Sequence, residues 1–128
     1  MQRCSTWRAR SSSPASLAAA NGCHHPIVGP DGDFVAAVRR ITQDKGVDVV
    51  YDSVGRDTLR GSLRCLKRRG LLVSFGNASG APPAIEPAEL QHGGSLFLTR
   101  PTLHDYTGTR QELLRAAEVL FQLVRGGC

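Results

Sequence analysis

LLVSFGNASG, residues Leu71–Gly80, is the stretch whose reading decides the fold. An apolar run ending at Phe75 passes at once into glycine and small polar residues. A buried strand ends this way where something must come close to its backbone, because glycine carries no Cβ to hold a neighbour off.

The same grammar recurs on both sides. Upstream, VDVVYD (Val47–Asp52) is a short run of β-branched and aromatic residues followed by SVG; downstream, SLFLT (Ser95–Thr99) runs into Arg100-Pro101. Helical patterns separate these strands. Phe34, Val38 and Ile41 share one face of a helix that Asp33 caps and Gly46 stops. Leu59, Leu63 and Leu66 form the stripe of a second helix, starting at Asp57 or Thr58 and ending at Gly70. A short helix opens at Pro87. Thr109 and Glu112 make a T-x-x-E capping box before a last helix expected to bury Leu113, Ala117, Leu120, Phe121 and Val124.

Near-continuously apolar strands alternating with helices predict an α/β fold, a parallel sheet of three strands covered on both faces. Right-handed crossovers lay the strands side by side. Tyr51, inside its strand, is expected in the core. HPIV (His25–Val28) is a candidate fourth strand, held to an edge by Pro26. Residues 1–21, rich in Ser, Ala and Arg and without acidic residues, are expected to be irregular. They resemble a transit peptide, which would make the chain mitochondrial, or they are sequence read from a start codon inside a longer gene. The second explanation is favoured.

Ligands of open α/β sheets bind beyond the carboxyl ends of the strands. Those ends are Asp52–Gly55, Phe75–Gly80 and Thr99–Pro101. Gly55 and Gly76 allow close approach, Ser53, Asn77, Ser79 and Thr99 offer hydrogen bonds, and Phe75 offers a flat apolar surface. Glycine, Ser and Asn are also ordinary turn residues, so no single loop identifies a site; three on neighbouring strands do so better. No G-x-G-x-x-G or P-loop follows any strand.

Composition narrows the classes. The 128 residues make one domain or part of one, and 41% hydrophobic content is that of a folded globular chain. No segment approaches the ~20 apolar residues of a membrane span. Of the net charge of +5, Arg3, Arg8 and Arg10 supply three, which leaves +2 for the remainder. Arg64, Lys67, Arg68 and Arg69 cluster without interleaved aromatic residues to stack bases, so no nucleic-acid partner is expected. Four scattered cysteines show neither C-x-x-C nor zinc-ligand spacing, and His24-His25, adjacent on extended chain, point apart. No metal site and a reduced, cytoplasmic setting are the expectations. No residue is singled out as catalytic.

GVDVVYDSVGRDTLRGSLRCLKRRGLLVSFGNASG (Gly46–Gly80) with GSLFLTRPTL (Gly94–Leu103) resembles the zinc-independent, zeta-crystallin-like NADPH:quinone oxidoreductases of the medium-chain dehydrogenase/reductase superfamily. The resemblance runs from about Asp33 to Gly127, with a weaker echo back to Gly22. It implies a partial Rossmann-like sheet over residues 22–128, the second half of a dinucleotide-binding domain. It implies NADPH as cofactor and a quinone or enone as substrate. Ser53, Val54 and Gly55 would line the cofactor cleft. Phe75, Gly76, Asn77 and Ser79 would follow the nicotinamide ribose and pyrophosphate, with Thr99 and Arg100 near the nicotinamide. The family's first βαβ unit and its pyrophosphate-binding turn have no match in the sequence, so weak cofactor binding and no activity of this chain alone are expected. An isologous homodimer through Ser95–Thr99 is a further expectation.

Overall fold

The computed structural model describes residues 6–9, 12–28 and 34–126. Asp33, the expected cap of a helix, lies outside them. Among the described residues there are five strands: β1 (Thr6–Ala9), β2 (His25–Val28), β3 (Val47–Asp52), β4 (Leu66–Ser74) and β5 (Phe97–Thr99). Six helices accompany them: α1 (Ser12–Ala20), α2 (Phe34–Ile41), α3 (Leu59–Cys65), α4 (Pro87–His92), α5 (Leu103–Tyr106) and α6 (Arg110–Arg125).

All pairing is parallel. β1 pairs with β2, and β3, β4 and β5 form a separate sheet in that order. β4 is central, and its Leu72 is wholly buried. In a doubly wound sheet of order 3-2-1-4-5-6, β1 and β2 fit the places of strands 2 and 3, and β3 to β5 those of strands 4 to 6. None of the described strands fits the place of strand 1. The main packing contacts run within each group.

The expectation of irregular chain before residue 22 is corrected for Thr6–Ala9 and Ser12–Ala20. Alanine has the lowest cost of all residues in a helix, and α1 is SSPASLAAA with its proline in the first turn, where a missing N–H does no harm. β2 contains Pro26 and is a strand, but it pairs with β1 in a separate two-stranded sheet instead of adding a fourth strand to the edge of β3–β4–β5.

One core serves the second sheet: Leu59, Leu63, Leu66, Leu72 and Leu96, with Val47, Val50, Ile85 and Leu90 packed around them. α3 lies on this face and α2 packs against α3. The other face differs from expectation. Register sets Val49, Leu71 and Phe97 in one row and Tyr51, Val73 and Thr99 in the next. Tyr51 is 73% exposed and Phe97 58%. The sheet is therefore covered on one face, and Tyr51 is not core.

α6 departs in the same way. Leu113, Leu120, Phe121 and Val124 are exposed and Ala117 is half-buried. Their spacing is that of a buried stripe, but no described element covers it. The helix expected to run to Gly70 ends at Cys65, because Leu66 turns extended (ψ 148°) and pairs with Val47 at the start of β4. Arg69 sits at φ 60° with its N–H on Gly94 O. Both capping expectations hold: α4 opens at Pro87, and Thr109 Oγ1 accepts from Glu112 N while Glu112 Oε2 accepts from Thr109 N.

Candidate functional site

The carboxyl ends of β3, β4 and β5 meet in one hydrogen-bonded cluster. Asp52 is its anchor. Its carboxylate, 4% exposed, accepts from the amides of Val54 (2.9 Å) and Gly55 (3.0 Å) and from the hydroxyls of Thr58 (2.9 Å) and Ser62 (2.7 Å). Thr58 stands at the N-cap of α3 but turns its hydroxyl to Asp52 instead of to the helix. The turn after β3 is thereby tied to the helix that follows.

The turn after β4 is laced onto the turn after β3. Phe75 N–H donates to Asp52 O (2.9 Å), Ala78 N–H to Ser53 O (3.3 Å) and Ser79 N–H to Val54 O (2.8 Å). The Ser79 hydroxyl donates to Val54 O and accepts from Asp57 N–H. Arg56 N–H closes the set on Gly80 O.

The glycines allow the two turns to touch. A Cβ on Gly76 would stand 2.1 Å from Ser53 O, and one on Gly55 (φ +92°) 2.7 Å from Gly80 O. What comes close to this backbone is another turn of the same chain.

Arg100 brings in the third strand. Its Nη1 donates to Ser74 O (3.2 Å), Ser74 Oγ (3.1 Å) and Gly76 O (3.3 Å), and its Nη2 donates to Asn77 Oδ1 (2.8 Å). Ser53, Phe75, Asn77, Thr99 and Arg100 are exposed along the cluster, Val54 and Gly76 are half-buried, and Gly55 is buried. All nine expected site residues thus belong to one region. Their parts differ: Ser79, Gly55 and Gly76 hold the turns together, whereas Ser53, Phe75 and Asn77 present surface.

Sequence reasoning missed Asp52, Thr58 and Ser62 as the support beneath the site. The available signal was an acidic residue closing an apolar strand, with hydroxyls six and ten positions on. Cys65, in α3, is buried, and desolvation pushes its thiol up to about 11 against the opposing pull of Arg39 and Arg64. It is a protonated, unreactive side chain at neutral pH.

The chain matches a family described as zinc-binding dehydrogenase over residues 8–120. It is 53% identical to quinone oxidoreductase 1 of Escherichia coli (strain K12) over 95 residues, 74% of this chain and 29% of that protein. It is 49% identical to a 2-haloacrylate reductase of Burkholderia sp over 107 residues, 83% of this chain and 32% of that protein. It superposes on the crystal structure of Escherichia coli quinone oxidoreductase complexed with NADPH with a TM-score of 0.87 and 44% identity, over 95% of this chain and 37% of that one. The chain spans about a third of the length of the curated relatives it matches. The described residues do not fit the zinc in the family's description: among them no three His, Cys, Asp or Glu side chains come together to hold a metal ion. Nor is any of their helices long and apolar enough to cross a membrane. A parallel Rossmann-like sheet, three converging strand ends and these likenesses have one conclusion: the chain belongs to the zinc-binding dehydrogenase family, in a part shared with its quinone oxidoreductases.

Proposed function

We propose that this chain forms one wall of the cofactor cleft of an NADPH-dependent quinone oxidoreductase acting on a quinone or enone, and that alone it does not turn over substrate. The observation that carries this reading is the single cluster formed by the ends of β3, β4 and β5, fixed by Asp52 and Arg100. Ser53, Val54 and Gly55 line the cleft; Phe75, Gly76, Asn77 and Ser79 follow the nicotinamide ribose and pyrophosphate, with Thr99 and Arg100 at the nicotinamide end. NADPH, when bound, supplies the hydride. The chain's own residues orient it: Phe75, 52% exposed, gives a flat apolar face, and half-buried Gly76 beside it carries no side chain.

Binding is weak because dinucleotide affinity depends strongly on a phosphate-binding turn at a helix N-terminus after the first strand. No described strand fits that first place. The test is a titration of NADPH with the 128-residue chain, followed by the nucleotide's own emission, beside an assay of NADPH oxidation with a quinone. Weak saturable binding without turnover is expected. No binding at millimolar nucleotide, or turnover by the isolated chain, would overturn the reading.

A second reading is a non-catalytic dimerisation module, in the cytoplasm like the first. It is favoured by β5, whose outer edge has no partner among the described strands and whose Phe97 and Leu98 are exposed. Residues Ser95–Thr99 would pair with a second copy about a two-fold axis. Sedimentation of the chain alone, and mixed with an intact relative, separates the readings: dimers that form without NADPH binding support the second.

A further inference from the structure

Arg100 is exposed and cationic beside the cleft, and the simplest role for it is a direct contact with an anionic cofactor. Its hydrogen bonds point elsewhere. Nη1 is engaged by three oxygens at the end of β4, and Nη2 donates to Asn77 Oδ1 at 2.8 Å. The ion pairs among the described residues join other side chains, and none neutralises Arg100.

The chemistry of the pair determines which way Asn77 faces. A guanidinium only donates, so the amide atom turned toward it must be the oxygen. The Nδ2 amino group is the other branch of the same planar amide and points away from Arg100, on an exposed residue. It makes no hydrogen bond to any described residue. An amide whose oxygen already accepts from a cation is also a better donor through its nitrogen, because successive hydrogen bonds polarise one another.

We propose that Arg100 is a positioning residue: it fixes and polarises the Asn77 amide so that Nδ2 donates to an acceptor oxygen of the bound dinucleotide. The inference rests on the proposed cofactor cleft and assigns two of its residues distinct parts. Asn77 touches the cofactor, and Arg100 acts through Asn77. Arg100 also ties the end of β5 to that of β4, so the donor is held by two strands instead of by a lone turn.

The experiment uses the full chain and NADPH. Asn77→Asp keeps an acceptor for Arg100 and removes both donors. It is expected to weaken NADPH binding at least about tenfold while leaving the melting temperature unchanged or raised. Arg100→Met, which frees the amide to rotate, is expected to weaken binding about tenfold, and Arg100→Lys, which keeps the charge without the fork, to fall between. The signature that a merely structural role would not produce is in nitrogen-15 spectra: the Asn77 side-chain NH2 pair shifts on saturation with NADPH, and in Arg100→Met its resonance in the free protein moves toward that of a solvated amide. Should Arg100→Met fail to fold, Asn77→Asp and the wild-type spectrum decide. Saturable NADPH binding with an unmoved Asn77 NH2 pair, or with Asn77→Asp binding like wild type, would overturn this inference and leave the cofactor cleft standing. Absence of any saturable binding by the wild-type chain would overturn both.

Discussion

The carbonyl oxygen of Ser53 lies against Gly76 so closely that a side chain there would begin 2.1 Å from it. No rotamer relieves such a clash, because the backbone fixes where the Cβ stands and its partner is a backbone oxygen. Gly76→Ala must push the β4 turn off the β3 turn and break the bonds from Phe75 and Ala78 to Asp52 and Ser53. The expected loss is roughly 3 kcal/mol or more, read as a lowered urea midpoint, with NADPH binding lost as well.

Asp52 supports the same corner from beneath. Asp52→Ala orphans two amides and two hydroxyls in a buried setting, at an expected cost of about 3 kcal/mol or more. Asp52→Asn keeps one acceptor for the Val54 and Gly55 amides, and the Thr58 and Ser62 hydroxyls can rotate to accept from its NH2. About 1–2 kcal/mol is expected for it. The difference between the two variants in chemical denaturation checks the assignment.

Much of this was legible in the sequence, and the reason is local. Val47–Asp52 and Leu71–Ser74 announce themselves as strands, and Pro87 and the Thr109–Glu112 box mark helix starts, through chemistry contained in a few neighbouring residues. The convergence of the three corners followed from parallel topology. What stayed hidden depends on partners. Apolar spacing in α6 and at Tyr51 says that these side chains suit a covered surface; it does not say that the cover is part of the described chain. Leu66 reads as the next step of a helical stripe, and only its pairing with Val47 turns it into strand. In the site, sequence pointed to residue types at strand ends, whereas the division between those that tie turns together and those that face outward needed the hydrogen bonds of Ser79 and Arg100.

Cys65 makes the chain sensitive to alkali. Burial raises its thiol from 9.0 to about 11. Below 9 both folded and unfolded chains hold the proton, and this contribution to stability is fully present. Between 9 and about 11 the unfolded chain ionises first, so stability falls as pH rises through that window, by roughly 2–3 kcal/mol at most. Melting curves of wild type and Cys65→Ala should diverge in slope above pH 9. In the native state at neutral pH, iodoacetamide should label Cys65 only as fast as the chain opens.

The cap of α6 responds to acid. Hydrogen bonds from Thr109, backbone first and side chain second, hold the Glu112 carboxyl below its ordinary value. The capping contribution is therefore present above that ordinary value and lost as pH falls through the lowered one. Thr109→Ala should lower the helicity of α6 and cost about 1 kcal/mol where the helix is coupled to the rest. Circular dichroism between neutral pH and pH 3 should show the wild-type loss and a flatter variant.

The separation of β1–β2 from β3–β4–β5 has a kinetic consequence. Among the residues whose burial is described, almost every large buried side chain belongs to the second group, around Leu72, while the first group consists of a single strand pair and an alanine-rich helix. Amide protons should therefore exchange with deuterium in two populations. Those of β4 await opening of the whole sheet; those of residues 12–28 leave through local fluctuations that never disturb it.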